Sequence, residues 1–317
     1  MPIRLFDAAT CRARHLSGMA TNRSVHPSGE QYEIVYGDQR AVITEVGATL
    51  REYWSRGRPV LDGFAVSEMC HGGRGQLLMP WPNRIADGAY EFGGRKLQLP
   101  LTEPDRHNAI HGLVRWASWL PAAHSPDSIR LTFTLRPQPG YPFAVGLVVD
   151  YSLGPAGLRT TWSAHNLGSE PVPFGSGTHP YLRPRSELID EAELRIPART
   201  YLRVDDRLIP TGHRLPVAGT PYDFRVARPV GDVAIDVCFT DFDGSPVEFD
   251  GLRLAFDGNH SFLQVFTGDT LAPEKRRRGI AVEPMTCAPN AFNTGDGIAL
   301  LPPGDYRSGS WNLKALS

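Results

Sequence analysis

The sequence predicts an all-β fold made of antiparallel strands. Short runs rich in β-branched and aromatic residues recur along the 317 residues, among them QYEIVY, DSIRLTFTL and VGLVVDYSL, and turn residues separate them. No segment keeps the i, i+3, i+4, i+7 apolar spacing of an amphipathic helix over a dozen residues. The 28 prolines and 32 glycines would also interrupt most long helices.

The strands are predicted in chain order from residue 31. QYEIVY, RAVITEV and ATLREYW are separated by Gly37-Asp38 and Gly47, which is typical of an antiparallel meander. The same pattern of short strand-like runs recurs in LRTTWSAHN, EAELRIP, LRLAF and SFLQVFTG. Because the spacing is near-regular, with no linker-like stretch and no repeat of fixed period, we predict a single β-sandwich domain over residues 30–317. Residues 1–29 lack periodicity and are predicted to form an irregular N-terminal arm.

Composition restricts the partners and the compartment. Hydrophobic residues make up 41% of the chain, enough for a large core, and the formal net charge of −1 offers no field for nucleic acid or an anionic membrane. The N-terminus lacks the apolar core of a signal peptide, and no window approaches ~18 uninterrupted apolar residues. The four cysteines show no C-x-x-C spacing, which argues against a zinc site and a disulfide framework. We therefore expect a soluble, cytoplasmic protein without nucleic-acid or membrane partners.

The segment from Gly72 to Trp119 is predicted to line a binding site. It is rich in aromatic, proline, arginine and histidine residues, and long ordered loops are usually binding loops. Trp81 stands between two prolines as a rigid apolar plate, while Asn83 and Arg84 supply amide and guanidinium donors and His111 precedes a glycine. Flat apolar faces beside planar hydrogen-bonding groups suit a sugar ring, which has C–H faces to cover and hydroxyls to bond.

Two further stretches each hold a proton-transfer residue in a rigid turn. In GSGTHPYL, Pro180 restricts His179 to an extended conformation, and Gly175 and Gly177 permit positive φ or a close approach to a ligand. In VEPMTCAPNAFN, Glu283 precedes a proline where a strand is predicted to end. An imidazole and a carboxylate fixed in this way form an acid/base pair if the fold brings them together.

Other motifs allow alternative interpretations. His107 and His111 have the spacing of two zinc ligands on a helix, but HNAIH lacks the Glu of H-E-x-x-H and runs into a glycine, so we expect no metal. The GSG at 175–177 lacks the first glycine of a nucleophile elbow. EKRRRG at 274–279 either binds an anion or faces solvent. Asp236, inside the apolar run VAIDVCF, is either on an exposed strand face or part of a site.

Several motifs together resemble one known family. PWPNRIADGAYEFGG, NAIHGL, GTHPYL, IDVCF, LQVFTG and VEPMTCAPNAFN stand in the order and approximate spacing of the aldose 1-epimerase (galactose mutarotase) family, and the resemblance covers nearly all of the chain after residue 30. It implies a large antiparallel β-supersandwich with few or no long helices. It also implies a cofactor-free interconversion of α and β sugar anomers.

The resemblance also implies roles for individual residues. His179 is similar to the family's general acid and Glu283 to its general base, while the residues similar to its sugar ligands are Arg84, His111, Asp236, Asn83 and Gln264. The chain departs from the best-known galactose mutarotases in two places. It has HGL where they commonly have HGG, and its first motif begins with PWPNR. These departures leave the preferred sugar open.

We therefore expect a mutarotase acting on a hexose, as a monomer or a homodimer, with a small-molecule sugar as its partner and no cofactor. The alternatives are a non-catalytic carbohydrate-binding or sensing protein on the same fold, and a mutarotase for a phosphorylated or sulfonated sugar. Arginines and acids are interspersed in the binding segment, and Asp236 and Glu283 add negative charge. This mixture predicts that a neutral hexose is preferred over its 6-phosphate.

Overall fold

A computed structural model describes residues 25–316 and confirms the all-β prediction. Within this range there are 27 strands, one α-helical turn and three 3₁₀ helices. In chain order the strands β1 to β27 are Gln31–Tyr36, Gln39–Thr44, Leu50–Ser55, Arg58–Pro59, Leu77–Leu78, Arg84–Ala86, Ala89–Phe92, Arg95–Gln98, Asn108–Ile110, Leu120–His124, Ser128–Leu135, Val145–Gly154, Gly157–Asn166, Val172–Phe174, Gly177–Thr178, Tyr181–Leu182, Glu193–Arg195, Ala198–Val204, Pro210–Pro216, Arg228–Pro229, Asp236–Phe242, Val247–Phe249, Leu252–Phe256, Phe262–Phe266, Ile280–Met285, Ala299–Leu301 and Tyr306–Ala315.

The helical segments are short. The α-helical turn α1 is Ala291–Thr294, and the 3₁₀ helices are Pro104–Arg106, Ile189–Glu191 and Pro273–Lys275. None of the helices in the described range is long and apolar enough to cross a membrane. The irregular arm predicted for residues 1–29 lies outside the described residues except for its last five, where the Gly29 N–H bonds to the His26 carbonyl in a turn that leads into β1.

Two large antiparallel sheets carry most of the strands. The nine-stranded sheet has the order β10-β11-β12-β13-β27-β23-β22-β17-β20, and the eight-stranded sheet has the order β19-β18-β21-β24-β25-β15-β5, with β16 also paired to β25. The predicted meander at the start forms a separate four-stranded sheet, β1-β2-β3-β4. Three two-stranded ribbons complete the set: β6-β9, β7-β8 and β14-β26.

The core lies between the two large sheets, because each strand turns alternate side chains toward it. Along β12 the burial pattern alternates strictly, with Val149 among the inward residues. Val149 and Trp162 of the nine-stranded sheet and Val265 and Val282 of the eight-stranded sheet belong to one contiguous hydrophobic cluster. The residues that alternate with Val265 and Val282 therefore lie on the opposite face of the eight-stranded sheet, and this face carries the candidate site.

Candidate active site

His179 and Glu283 lie opposite each other across two paired segments. Gly177 of β15 pairs with Met285 of β25, and Tyr181 of β16 pairs with Ala281, so the residue midway between the two pairs, His179, faces Glu283. The two side chains lie on the same face of the sheet, and Nε2 of His179 is 3.3 Å from Oε1 of Glu283. The fold thus brings together the imidazole and the carboxylate that the sequence placed in two distant turns.

The next two strands extend this row of polar side chains. Gln264 of β24 is the direct partner of Glu283 in the sheet register, and it also pairs with Cys238 of β21. Asp236 stands two residues before Cys238 and therefore shares its face. The Nε2 group of Gln264 donates a 2.5 Å hydrogen bond to Oδ1 of Asp236. Since Val237, Val265 and Val282 point into the core, the alternation of ordinary strands is enough to place these polar groups together.

The ribbon β6-β9 supplies the remaining predicted residues. Arg84 pairs with Ile110, so Asn83 and His111 lie at the same end of the ribbon, and both have positive φ. The His111 N–H bonds to the Asn83 carbonyl at 2.8 Å, and the Asn83 N–H bonds to Nδ1 of His111 at 3.2 Å. Because Nδ1 accepts a hydrogen bond, the proton of the neutral imidazole is on Nε2.

Glu103 fixes the guanidinium of Arg84. Its carboxylate accepts two parallel hydrogen bonds from Nε and Nη2 of Arg84, at 2.8 and 2.9 Å. Asn108 and Arg106 donate to the same carboxylate. A bidentate pair of this kind orients the planar guanidinium, and Arg84 is only 8% exposed. Glu103 was not among the predicted site residues; its only signal in the sequence is an acid within the arginine-rich segment.

These residues line one cleft of about 290 Å³. All of the predicted site residues contribute to its wall: Asn83, Arg84, His111, His179, Asp236, Gln264 and Glu283. Tyr181, which the prediction did not include, stacks on His179 with the ring centroids 5.1 Å apart, and His111 meets the same imidazole edge-on at 5.3 Å. The two rings hold His179 from two sides.

Trp81, predicted to be the apolar plate of the site, is instead a core residue. It is 3% exposed, belongs to the hydrophobic cluster and packs against Phe292 with ring centroids 5.6 Å apart. The aromatic residues that line the cleft are Tyr181 and Phe266. The flanking prolines restrict the backbone on both sides of Trp81, but the indole ring faces the core.

The predicted glycines of GSGTHPYL serve packing and not positive φ. A Cβ on Gly175 would lie 2.4 Å from the Cys287 sulfur, and one on Gly177 would lie 2.8 Å from Cβ of Pro82. The glycine that approaches a site residue is Gly73, at φ +74°, where a Cβ would meet Cδ2 of His179 at 2.7 Å. The loop before β5 therefore closes on His179 only because residue 73 has no side chain.

Burial sets the charges of the central pair. His179 is 4% exposed and Glu283 is 1% exposed. Desolvation lowers the pKa of His179 to about 3, and it raises the pKa of Glu283 well above the ordinary 4.5. Each shift favours the neutral form of its group. In the ligand-free protein the pair therefore carries one titratable proton, and that proton is on the carboxyl of Glu283. One proton is also what an imidazolium–carboxylate pair holds, and the two forms differ only in its position.

The surrounding groups have shifted pKa values as well. Burial lowers the pKa of His111 well below 6.5, and the nearby Arg115 guanidinium lowers it further, so this imidazole is neutral at pH 7. Burial raises the pKa of Asp236, which Arg84 and the hydrogen bond from Gln264 partly offset. The site thus contains a neutral histidine that donates from Nε2 and a carboxyl oxygen of Asp236 that accepts from Gln264.

The alternative zinc pair is separated by the structure. His107 is on the surface, where Nδ1 lies 2.8 Å from Oδ1 of Asp87, while His111 faces the cleft. No group of three or more His, Cys, Asp and Glu side chains within residues 25–316 is arranged to hold a metal ion. In the EKRRRG run, Arg277 bonds to Asp190 and Asp269.

The antiparallel β-sandwich thus carries a carboxyl–imidazole pair in a polar cleft, an arrangement that is chemically capable of acid/base catalysis. A sequence model of the aldose 1-epimerase family matches residues 30–314. The chain belongs to the aldose 1-epimerase family. Family membership supports an epimerase-type isomerisation of a sugar, and it confirms the resemblance drawn from the sequence motifs.

Individual relatives differ in how much of the chain they cover. The uncharacterized protein YihR of Escherichia coli (strain K12) is 35% identical over 290 residues, which are 89% of this chain and 92% of YihR. Human galactose mutarotase is 31% identical over 167 residues, 51% of this chain and 48% of the human protein. The alignment with the human enzyme thus spans about half of each chain.

Solved structures confirm the fold. An aldose epimerase homologue from C. elegans superimposes with a TM-score of 0.80 at 19% identity, over 91% of this chain and 99% of that one. Galactose 1-epimerase from Lactobacillus acidophilus NCFM gives a TM-score of 0.74 at 20% identity, with the same two coverages. At these identities the likeness establishes the galactose mutarotase-like supersandwich and nothing finer.

Proposed function

We propose that this protein is a mutarotase, which interconverts the α and β anomers of a hexose by opening and closing the hemiacetal ring. The observation that carries the proposal is the 3.3 Å approach of Nε2 of His179 to Oε1 of Glu283 in the cleft. Oε2 of Glu283 is buried without a hydrogen-bond partner, so the carboxyl has a free oxygen for a ligand. The anomeric oxygen and the ring oxygen are bonded to the same carbon, so their acid and base must lie side by side.

The reaction balances with these two side chains alone. Glu283 takes the proton from the anomeric hydroxyl, the electron pair of that O–H becomes the C1 carbonyl bond, the bond from C1 to the ring oxygen breaks, and His179 protonates the ring oxygen. The open aldehyde rotates about C1–C2, and the reverse transfers close the ring on the other face. After a complete cycle each side chain has its original proton.

The productive pair is Glu283 as carboxylate and His179 as imidazolium, whereas the free pair carries its proton on Glu283. The transfer from the carboxyl to Nε2 needs no exchange with solvent, because the two atoms already lie 3.3 Å apart. Arg84, whose charge lowers the pKa of Glu283, favours this transfer. The sugar's polar oxygens favour it further, since they supply hydrogen bonds to charges that are otherwise desolvated.

The other candidate sugar contacts follow from their positions. Arg84, oriented by Glu103, presents N–H groups, His111 presents Nε2–H, and Asp236 and Gln264 present oxygens at the far end of the row. Together they can bond several hydroxyls of one ring. We assign them to substrate binding.

The test is an NMR exchange measurement on the purified protein. One anomeric proton of D-galactose or D-glucose is inverted selectively, and transfer of magnetisation to the other anomer is followed with and without protein. We expect exchange far above the buffer rate for a hexose, in proportion to enzyme concentration. Sugar binding with no added exchange would support a carbohydrate-binding protein instead, and would overturn the proposal.

A further inference from the structure

The three arginines that line the cleft are not equivalent. Arg84 and Arg106 both donate to the carboxylate of Glu103. Arg115 lines the same cleft, but no carboxylate within the described part of the chain lies within ion-pair distance of it. The two other arginines of the segment are also neutralised, Arg74 by Asp62 and Arg95 by Glu170. Among the described residues, the structure thus leaves one arginine of the binding segment without a carboxylate partner.

The contacts of Arg115 are neutral and incomplete. Nη1 donates to the Gln76 side chain at 3.4 Å and Nη2 donates to the Ile110 carbonyl at 3.2 Å. Nε is buried and has no hydrogen-bond partner. The nearby Cys70 thiol does not supply a charge, since burial raises its pKa to about 12. A buried N–H of a guanidinium without an acceptor is costly, and this cost is relieved when an anion binds.

The acids of the cleft do not neutralise Arg115. Glu283 shares a single proton with His179, so the pair has no net charge. Glu103 is engaged by Arg84 and Arg106, and Asp236 by Gln264. The cleft therefore has three arginines against the charges of Glu103 and Asp236, an excess of one positive charge even when Asp236 is ionised. The expectation of a neutral hexose rested on an even mixture of positive and negative residues along the sequence. Inside the cleft, positive charges are in excess.

We propose that Arg115 binds an anionic group on C6 of the sugar, so that the substrate is an anionic hexose derivative: a phosphate, a sulfonate or a carboxylate. This inference rests on the proposed mutarotase function, which positions the ring. The ring oxygen joins C1 to C5, and C5 bears C6. A group on C6 is thus adjacent to the oxygen that His179 protonates.

Arg115 is on this side of the site. Its side chain bonds to the Gln76 side chain, and the Gln76 carbonyl accepts the backbone N–H of His179 at 3.1 Å. Its charge also lowers the pKa of both His179 and His111. An anion bound to Arg115 would offset this charge and would make His179 easier to protonate, which is the state in which it can serve as the acid.

The experiment compares kcat/KM for anomer exchange of D-glucose, glucose 6-phosphate, 6-deoxy-6-sulfoglucose and glucuronate. We expect at least one anion to exceed glucose by more than ~10-fold, and the best anion identifies which of the three groups is bound. Arg115→Gln should lower that ratio at least ~10-fold, while Arg95→Gln, which removes a surface charge, should leave it unchanged. The ratio is the readout, whatever Arg115→Gln does to turnover in general.

Each outcome decides the proposal. Glucose equal to or better than all three anions overturns it and leaves the mutarotase function intact, and so does an anion preference that persists in Arg115→Gln. If that variant does not fold, the wild-type ratios and the Arg115→Lys ratio decide. If no sugar is epimerised, the mutarotase proposal fails, and calorimetric Kd values for the same four sugars test Arg115 separately: an anion bound ~10-fold more tightly than glucose supports it, and equal Kd values overturn it.

Discussion

His179 and Glu283 face each other across adjacent antiparallel segments, and both side chains are almost completely buried. His179 lies between β15 and β16, and both of these strands pair with β25, which carries Glu283, so the sheet fixes the geometry of the pair before the substrate arrives. Burial also removes the water that would otherwise keep both groups charged. The relationship leads to predictions for turnover, for pH dependence and for stability.

Removing either proton-transfer group should abolish most of the turnover. Glu283→Gln and His179→Asn are each expected to lower kcat for anomer exchange by at least ~10²-fold, because each removes one of two coupled proton transfers. The NMR exchange assay measures the loss, and circular dichroism establishes that both variants are folded. Wild-type kcat in either variant would exclude that residue from the mechanism.

Turnover of a neutral hexose should not change with pH near the ordinary pKa of histidine. The pair is active with one proton, and it holds one proton between the lowered pKa of His179, about 3, and the raised pKa of Glu283. An exposed pair would hold one proton only between the ordinary pKa values of the two groups, 4.5 and 6.5. We expect kcat/KM to stay flat as the pH passes through 6.5, the ordinary pKa of histidine, after subtraction of the buffer rate. A decline centred near pH 6.5 would show that the pair is not desolvated.

Glu103 should act on substrate binding through Arg84. Glu103→Gln removes the charge that orients the guanidinium, and we expect KM to rise ~10-fold or more with a smaller change in kcat. Glu170→Gln is the matched control, since it breaks the exposed pair with Arg95. A fall in kcat at constant KM would assign Glu103 to transition-state stabilisation instead.

Gly73 should be required for turnover because of its approach to His179. Gly73→Ala places a Cβ against the imidazole, and we expect kcat to fall at least ~10-fold as His179 is displaced. Gly244→Ala is the control: Gly244 also has positive φ, at +87°, but a Cβ there would meet nothing within 4 Å. Both variants should lose about 1 kcal/mol of stability from backbone strain, and only the first should lose activity. Equal kcat in the two variants would contradict this assignment.

Glu283 should make the folded state less stable as the pH rises. The pKa of Glu283 is raised on folding, so its contribution is favourable below about pH 4.5 and is lost as the unfolded chain releases the proton at higher pH. Glu283→Gln has no such titration. Its free energy of unfolding relative to wild type should therefore increase as the pH rises above about 4.5, by at most ~1.4 kcal/mol per pH unit.

Urea denaturation at several pH values measures this difference, and Glu170→Gln, whose carboxylate is exposed, controls for the general titration of the chain. A difference between Glu283→Gln and wild type that is constant with pH would show that Glu283 is ionised in the folded protein.

The strands could be predicted from the sequence because their signal is local. QYEIVY, SIRLTFTL and VGLVVDYSL alternate apolar and polar residues or are rich in β-branched ones, and they form β1, β11 and β12. The residues that line the candidate site could also be found in the sequence, since they occur in motifs. Glu283 was predicted to lie at a strand end, yet β25 continues two residues further through Pro284 to Met285.

The arrangement around those residues depends on contacts that no local pattern contains. That His179 faces Glu283 follows from the register of β15 and β16 on β25, which is set by packing of the whole sheet. Trp81 was predicted to line the cleft because prolines flank it. Its ring is instead buried beside Phe292, which belongs to the distant VEPMTCAPNAFN motif. The pairing of arginines with acids is likewise a tertiary property, and it distinguishes Arg84, which is paired with Glu103, from Arg115, which has no acid partner among the described residues.

The reciprocal bonds between Asn83 and His111 make the cleft sensitive to the direction of a hydrogen bond as well as to its position. With Nδ1 occupied by the Asn83 N–H, the imidazole offers a proton and no lone pair, whereas the carboxylate of Asp236 offers lone pairs and, when ionised, no proton. A hydroxyl that meets the first must present its oxygen, and one that meets the second must present its hydrogen. Two sugars with their oxygens in nearly the same places are then distinguished by the way their O–H bonds can turn, a selection that shape alone would not make.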